Sequence, residues 1–498
     1  MEKFTTSLLG LLAAGLVCLP APAQGLFEQL DFPDPDNTPA PVFPVPSQRQ
    51  VEWMKMEFYG FSHYGYNTFL GKEWGNDTYP DPTRYAPQSI PDCEQWVTAM
   101  KSAGMTGVVA VVKHHDGFCM WPTESTDFNV TNSDGVGPQV DIPKLVSEAC
   151  RKHGMKFGVY LSPWDANASN YATQDYIDQN FRTQLTELLT NYGEVFEVWF
   201  DGANGGTGYY GGIIPTTKNI DKTTYYDWPN IADFVHKLQP GATVWGREFR
   251  WCGNEDGYSG RTCWSNSDIR SVQSEGNNNT GYEEGFEFIP SESDVRTSQN
   301  WFWNTSESIK SAEELYKIYL ETVGRNATLI MNCAPNTDGV LSDALVRNLE
   351  ELGSLLKTRL TDNFALTATS VTADQVRDGG KYAAANATDA DADTYWATND
   401  GQTTGSVTIE LPETKTVHYV MLQEYFQLGQ RVRAFNIEYS TDGSSWRSFA
   451  TGTTIGYKRI MAVNDDTSSY GNGVQARFIR VNITDSRACP LINNIAVY

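Results

Sequence analysis

Residues 195–201, Val-Phe-Glu-Val-Trp-Phe-Asp, run into Gly-Ala-Asn-Gly-Gly, so an aromatic-rich apolar segment hands one carboxylate, Asp201, to a glycine-opened loop. At the C-terminal end of an α/β-barrel strand such a group faces the mouth built by the βα loops, where nucleophiles and acid/base groups work. An Asp that merely begins a Gly-rich turn is the competing reading. Farther on, Arg250-Trp251-Cys252-Gly253-Asn254-Glu255-Asp256-Gly257 follows the apolar stretch 242–245 and reads as the next βα loop, which puts a second carboxylate in the same mouth. Two carboxyls facing each other across a scissile glycosidic bond, about 5–5.5 Å apart, are the equipment of a retaining glycosidase. Glu248 and Asp256 compete with Glu255 for the second role; Glu248 is expected to face outward, and Asp256 to form a turn with Gly257.

Three of the six histidines fall at strand ends: His63, and the pair His114-His115 before Asp116-Gly117-Phe118. Consecutive strand residues point to opposite faces, and neither an HExxH motif nor a third ligand at a usual spacing accompanies the pair, so zinc is disfavoured. Hydrogen bonding to sugar hydroxyls suits them better, with a structural role beside a tight turn open for either member of the pair. His153, His236 and His418 read as structural. Trp74, Trp121, Trp164, Trp199, Trp251, Trp264, Trp301 and Trp303 gather in the same loops, mostly beside glycines, polar residues or candidate carboxylates. Indole faces stack on the C–H faces of sugar rings, although core packing is the common fate of a single Trp.

The elements that must position these groups alternate. Apolar runs rich in β-branched residues at 107–112, 157–161, 195–200, 242–245 and 327–331 are separated by amphipathic stretches at 93–103, 142–153, 181–192, 228–238 and 312–322. That pattern predicts the α/β class and a (β/α)8-like TIM barrel. From about residue 362 the chain turns to short alternating segments such as 406–411, 417–423, 434–440 and 476–483, an all-β sandwich of jelly-roll type. The expected divisions are a signal peptide at 1–23, a Pro-rich entry at 24–49, a catalytic barrel at 50–361 and a sandwich at 362–498.

The formal net charge of −24 disfavours nucleic acid and anionic membrane as partners through long-range repulsion. Lys3, the apolar run 8–19 and Ala21-Pro22-Ala23 before Gln24 read as a secretory signal, so a secreted or periplasmic protein is expected. A lipoprotein anchored at Cys18 is disfavoured, because Gly15-Leu16-Val17 matches such a site poorly. No other run approaches membrane-spanning length. The other seven cysteines have no regular spacing and no CxxC, which indicates neither a disulfide framework nor a zinc site. Pairing of Cys252 with Cys263 is left open.

His63 with Asn67-Thr68-Phe69 and Glu73-Trp74-Gly75, His114-His115-Asp116-Gly117-Phe118 running to Trp121-Pro122, and Trp199-Phe200-Asp201-Gly202 together resemble the α-L-fucosidases of glycoside hydrolase family 29. Leu329-Ile330-Met331-Asn332, with Pro335 and Asp338-Gly339, resembles the closing barrel motif of that family. The resemblance implies a retaining hydrolase of fucosylated glycans with Asp201 as nucleophile, and it requires neither a metal nor an organic cofactor in the reaction. The stretch from Arg250 to Glu255 is similar to the branch acting on α-1,3/1,4-linked fucose, which implies that Glu255 is the acid/base. His63, Glu73, Trp74, His114, His115, Tyr160 and Trp199 would line the fucose subsite, with Trp251 beside it and Trp301-Phe302-Trp303 on the methyl side of the sugar. The interval from Asp201 to Glu255 is longer than that branch implies, and 202–226 reads as an enlarged loop. The C-terminal part resembles discoidin-like (coagulation-factor C-type) carbohydrate-binding sandwiches through Ala387-Thr388-Asp389-Ala390-Asp391-Ala392-Asp393-Thr394-Tyr395-Trp396, which implies a structural Ca²⁺ at Asp389 and Asp391; an acidic turn without an ion is the alternative. Two rival functions are a non-catalytic glycan-binding protein and a retaining glycosidase of the same fold acting on a sugar such as galactose.

Overall fold

The structure, a computed structural model, describes residues 37–75, 80–211, 217–268, 279–468 and 472–498. The expected signal peptide and Cys18 lie outside these residues.

After a short helix, α1 (Gln48–Met54), the first region lays down β1 (Phe58–Ser62), β2 (Gly107–Lys113), β3 (Lys156–Leu161) and β4 (Glu197–Trp199). A hairpin of β5 (Gly206–Tyr209) and β6 (Thr217–Ile220) follows, then β7 (Thr243–Val244), β8 (Arg250–Trp251), the short pair β9 (Asn266–Ser267) and β10 (Glu287–Phe288), β11 (Ser291–Arg296) and β12 (Ala327–Asn332). Eight of these form a parallel sheet in the order β7-β4-β3-β2-β1-β12-β11-β8. Its two edge strands meet through the Trp245–Phe249 bridge, which curls the sheet into the expected TIM-like barrel. β2 is buried at every position, as a parallel strand covered on both faces must be.

The outer layer follows from capping and apolar spacing. The helix α2 (Tyr66–Leu70) is a single turn beside the mouth, while α3 (Cys93–Ser102), α4 (Ile142–His153), α5 (Arg182–Asn191), α6 (Trp228–Leu238), α7 (Ala312–Thr322) and α8 (Asp343–Arg359) wrap the sheet. In α4 the Asp141 side chain accepts from Lys144 N, and Gly154 closes the far end at φ 66°.

One expectation needs correction, and one strand was not anticipated. The strict strand–helix alternation fails after β7, which passes to β8 through residues 245–249 with no helix between, and no helix stands between β8 and β11 among the described residues. β11, Ser-Glu-Ser-Asp-Val-Arg, has no apolar run to betray it; Glu292 and Asp294 are satisfied inside the barrel by Trp199 and Trp251, so burial does not show as hydrophobicity.

The second region is an antiparallel sandwich of β13 (Ser370–Ala373), β14 (Trp396–Ala397), β15 (Gly405–Val417), β16 (Tyr419–Glu424), β17 (Val432–Ser440), β18 (Arg447–Gly452), β19 (Arg459–Ala462), β20 (Val474–Ser486) and β21 (Leu491–Val497). Its sheets run β13-β15-β20-β17-β18 and β14-β21-β16-β19. Val407, Ile409 and Leu411 alternate inward along β15 to meet Ile479 and Val481. The sandwich is fixed to the N-terminal end of the barrel: Tyr457 Oη and Lys458 Nζ donate to Glu57, just before β1, at 2.8 and 2.6 Å. Asn326, just before β12, donates through its N–H to Lys458 O (2.9 Å) and accepts from Tyr457 N (2.7 Å). The module therefore sits away from the mouth. Cys93, Cys119, Cys150, Cys252, Cys263, Cys333 and Cys489 are all buried free thiols. No helix among the described residues is long and apolar enough to cross a membrane.

Candidate active site

Period-two alternation along β4 and its extension sends Glu197, Trp199 and Asp201 to the barrel interior at successively higher levels. In the register of β3 with β4, Tyr160 pairs with Trp199, so the two rings face the same side and stack at 5.7 Å and 17°. Above them Tyr160 Oη donates to Asp201 Oδ2 at 2.9 Å. Gly202 N, at φ 75°, donates to Asp201 Oδ1 at 2.6 Å, which leaves a side chain 45% exposed at the mouth. Burial, reinforced by the Asp201 charge, pushes the Tyr160 phenol well above its usual range, so it stays a donor.

The three strand-end histidines converge beside it. His115 Nε2 is 3.6 Å from Asp201 Oδ2. Its Nδ1 is 2.8 Å from Ser162 Oγ, whose own proton is directed at the carbonyls of Trp164 and Asp201 (2.9 and 3.1 Å), so Nδ1 carries the proton donated to Ser162. His63 Nδ1 lies 2.8 Å from Asn332 Oδ1, and Asn332 Nδ2 donates to Trp301 O at 2.7 Å, an arrangement that fixes the amide and makes Nδ1 of His63 the donor. Burial pushes His63 down to about 3. Burial also drives His114 far below the usual imidazole range, with the neighbouring His115 and His63 adding to the effect, and lowers His115 against the pull of Asp201. His114 stacks on Tyr160 at 5.7 Å and 8°. The result is a set of neutral rings, with Nε2 of His63 and of His115 left as acceptors for hydroxyl groups.

Glu73 accepts the Trp301 N–H on both oxygens at 3.0 Å, and partial burial raises its carboxyl. Trp74 stands on the rim, 54% exposed, edge-on to His115 (5.6 Å) and Trp164 (5.8 Å). Across the mouth, Trp301 Nε1 donates to Glu255 Oε2 at 3.3 Å. Glu255 takes φ 55°, a left-handed conformation held by the turn in which Asp256 N donates to Asn254 Oδ1 (3.0 Å) and by the Asp256–Val295 bridge to β11. Beneath it Trp251 Nε1 donates to Asp294 Oδ1 at 2.8 Å. Burial first, then the charges of Glu255 and Asp201, push Asp294 up to about 7, so this third carboxyl senses both of the others.

The structure thus gathers His63, Glu73, Trp74, His114, His115, Tyr160, Trp199, Asp201, Trp251, Glu255 and Trp301 around one opening. It revises the route by which Glu255 arrives. Arg250 and Trp251 are themselves a strand paired with Ser291 and Glu292, so Glu255 follows β8 and does not belong to the loop directly after β7. Glu248 is turned away, accepting from Val244 N at 2.9 Å. Trp121 and Trp264 leave the proposed aromatic ring: Trp121 is core, donating to Glu187 at 2.8 Å, and the buried Trp264 lies between Cys263 and Ser265, whose N–H groups donate to Thr454 and Gln430 of the sandwich. The enlarged loop 202–226 contains the β5–β6 hairpin, anchored where Trp164 Nε1 donates to Tyr210 O at 3.1 Å. Asp294, Ser162 and Asn332 are site residues that pattern reasoning did not single out. Only Asn332 had a signal, as part of the Leu329–Asn332 motif.

In the sandwich, Asp389 accepts from Asp391 N (2.9 Å) and Thr394 Oγ1 (2.7 Å), and Asp391 accepts from Asp393 N (3.0 Å). These carboxylates offer the hard oxygens that Ca²⁺ takes. Among the described residues, no group of three or more His, Cys, Asp or Glu is gathered for a metal.

A family model described as Alpha-L-fucosidase matches residues 41–359, and one described as F5/8 type C domain matches 365–495. Alpha-L-fucosidase 1 of Arabidopsis thaliana is 32% identical over 474 residues, covering 92% of this chain and 88% of the relative. A relative from Oryza sativa subsp. japonica is 36% identical over 475 residues, covering 93% and 87%. A glycoside hydrolase 29 fucosidase of Ruminococcus gnavus, solved in complex with fucose, superposes with a TM-score of 0.81 at 31% identity, covering 93% of this chain and 96% of that one. With a family model matched over residues 41–359, relatives aligned over nearly the whole length and a mouth holding two carboxylates among neutral imidazoles, the chain belongs to the alpha-L-fucosidase family of glycoside hydrolases and carries an F5/8 type C domain behind its barrel.

Proposed function

We propose that the chain removes terminal α-L-fucosyl units from glycans by double displacement with retention. The carrying observation is that the Tyr160–Asp201 and Trp301–Glu255 hydrogen bonds, 2.9 and 3.3 Å, aim two carboxylates into one mouth. Asp201 attacks C1 while Glu255 gives its proton to the departing glycosidic oxygen, leaving a β-fucosyl ester on Asp201. Glu255 then takes a proton from water, whose oxygen attacks C1 and frees the Asp201 carboxylate. His63 and His115 accept hydrogen bonds from sugar hydroxyls through Nε2, Glu73 accepts one from another hydroxyl, and Trp199, Trp301 and Phe302 provide apolar surface for the ring and its methyl group.

The Arg250–Glu255 stretch supports preference for α-1,3/1,4 linkages in branched, Lewis-type glycans, and the β5–β6 hairpin is the element that would tune it. The test is to incubate the protein with a Lewis-type trisaccharide, 2′-fucosyllactose and an aryl fucoside and follow the products by NMR. α-Fucose appearing first, fastest from the trisaccharide, is expected; β-fucose first, or preference for 2′-fucosyllactose, contradicts the reading.

For the Asp389–Asp391 loop we propose a structural Ca²⁺ that stiffens the sandwich, supported by the two carboxylates, Asp389 and Asp391, that this turn carries. Thermal unfolding in Ca²⁺ and in EDTA tests this, and identical midpoints would contradict it. Export is proposed on the leader at 1–23; an extracytoplasmic form beginning near Gln24, seen by mass spectrometry, is the expected product.

A further inference from the structure

Below the sugar subsite, at the level of Glu197 and Tyr59, the barrel encloses two carboxyls with no cationic side chain against them among the described residues. Glu197 on β4 and Glu292 on β11 are both fully buried (0% exposed), and the Tyr59 hydroxyl on β1 lies between them. Tyr59 Oη is 2.8 Å from Glu197 Oε2 and also hydrogen-bonds Glu292 Oε2. Trp53 Nε1 donates to Glu197 Oε2 at 2.5 Å, and Trp199 Nε1 donates to Glu292 Oε1 at 2.5 Å. The groups facing the pair are therefore Trp53 from α1, Tyr59 from β1, Trp199 from β4, Thr328 from β12 and, one level higher on β11, Asp294. None of them is positively charged.

A tyrosine has one proton to give, so it cannot donate to two carboxylates at once. The arrangement closes only if one carboxyl is protonated and donates to Tyr59 Oη while Tyr59 donates to the other. Two bare charges this close in a buried site would be far more costly than a pair sharing a proton. Glu197 Oε1 is also buried without a hydrogen-bond partner among the described residues, a situation cheaper for a carboxylic acid than for a carboxylate.

We propose that Glu197 and Glu292 are a proton-sharing carboxyl pair bridged by Tyr59, in which Glu292 is a positioning residue that holds the Trp199 indole beneath the sugar. Trp199 in turn stacks on Tyr160, the residue that donates to Asp201, so the pair acts on the chemistry through two intermediaries. Consistent with this geometry, burial pushes Glu197 up to about 8, and burial together with the Glu197 charge drives Glu292 well above the carboxyl range. A carboxyl raised by folding contributes stability that is complete below the unfolded-state carboxyl range and is lost as pH rises through its folded value, here towards about pH 8.

The activity arm of the test rests on the proposed role of Asp201; the stability arm does not. Glu292→Gln cannot ionise, yet its amide still accepts from Trp199 and donates to Tyr59. Glu292→Leu leaves the buried indole N–H without an acceptor. In the full-length protein, Glu292→Gln is expected to keep kcat/KM on an aryl fucoside close to wild type, and its Tm advantage over wild type is expected to grow from pH 5 to pH 9. Glu292→Leu is expected to lose about 10- to 100-fold in kcat/KM. A Glu292→Gln protein as impaired as Glu292→Leu, or one whose Tm follows pH as the wild type does, would overturn the proposal. If the stability arm holds while Asp201 variants remain active, the catalytic reading fails and the carboxyl pair stands.

Discussion

Tyr160 Oη donates to Asp201 Oδ2 at 2.9 Å, and the Tyr160 ring is itself held between His114 and Trp199 by near-parallel stacking. Tyr160→Phe keeps the stacked ring and removes only the donor. A hydrogen bond to a charged group contributes about 1.5–3 kcal/mol, so kcat/KM is expected to fall by about 10- to 100-fold with Tm little changed. A loss confined to Tm would show that the hydroxyl serves packing rather than chemistry.

Glu255 is reached by Trp301 Nε1, and among the described residues no other hydrogen bond holds its carboxylate, as suits a group that must exchange protons with substrate and water. Glu255→Ala is expected to cost far more on a glycan, whose leaving alcohol needs a proton, than on an aryl fucoside with an acidic phenol. Adding azide should restore turnover of the aryl substrate, by attacking the β-fucosyl ester in place of water, and yield α-fucosyl azide. Equal losses on both substrates, with no azide product, would remove Glu255 from the acid/base role.

Asp294 lies at about 7, raised by burial and by Glu255 and Asp201, so the sign of its contribution is definite. Its stability is complete at low pH and is lost as pH rises towards and through 7, a cost on the order of 4 kcal/mol at alkaline pH for a shift of about three units. Asp294→Asn retains an oxygen for Trp251 Nε1 and removes the charge. Its Tm is expected to match wild type near pH 4, to exceed it increasingly as pH rises towards about 7 and to keep that advantage at higher pH; parallel Tm–pH curves would refute the assignment.

Gly202 sits at φ 75°, and a Cβ there would lie 2.8 Å from the His115 ring. Gly202→Ala combines backbone strain of about 1 kcal/mol with a push on the imidazole nearest Asp201. The expected outcome is a modest drop in Tm and a larger fall in kcat/KM, read by thermal unfolding and aryl-fucoside kinetics. Unchanged kinetics would mean that His115 position does not matter.

What could be read from the chain divides along physical lines. β2 and β12 announced themselves because parallel strands buried on both faces are continuous apolar runs, and Asp201 stood out because glycines follow it. β11 stayed hidden because Glu292, Asp294 and Arg296 point inward as polar groups whose partners, Tyr59, Trp199, Trp251 and Trp301, come from distant parts of the sequence. For the same reason the buried carboxyl pair had no local signature: each glutamate looks ordinary until Tyr59 is placed between them. The missing helix after β7 is likewise a property of closure, since only the pairing of Arg250 with Ser291 identifies β8 as a strand.

The most direct test of the central claim is to treat the enzyme with a 2-deoxy-2-fluoro-fucosyl fluoride, digest it and locate the sugar by tandem mass spectrometry. One fucosyl ester on the peptide containing Asp201 is expected, absent in Asp201→Asn. A label on Glu255, Asp294 or Glu73, or turnover of fucosyl substrates by Asp201→Asn near the wild-type rate, would contradict the account.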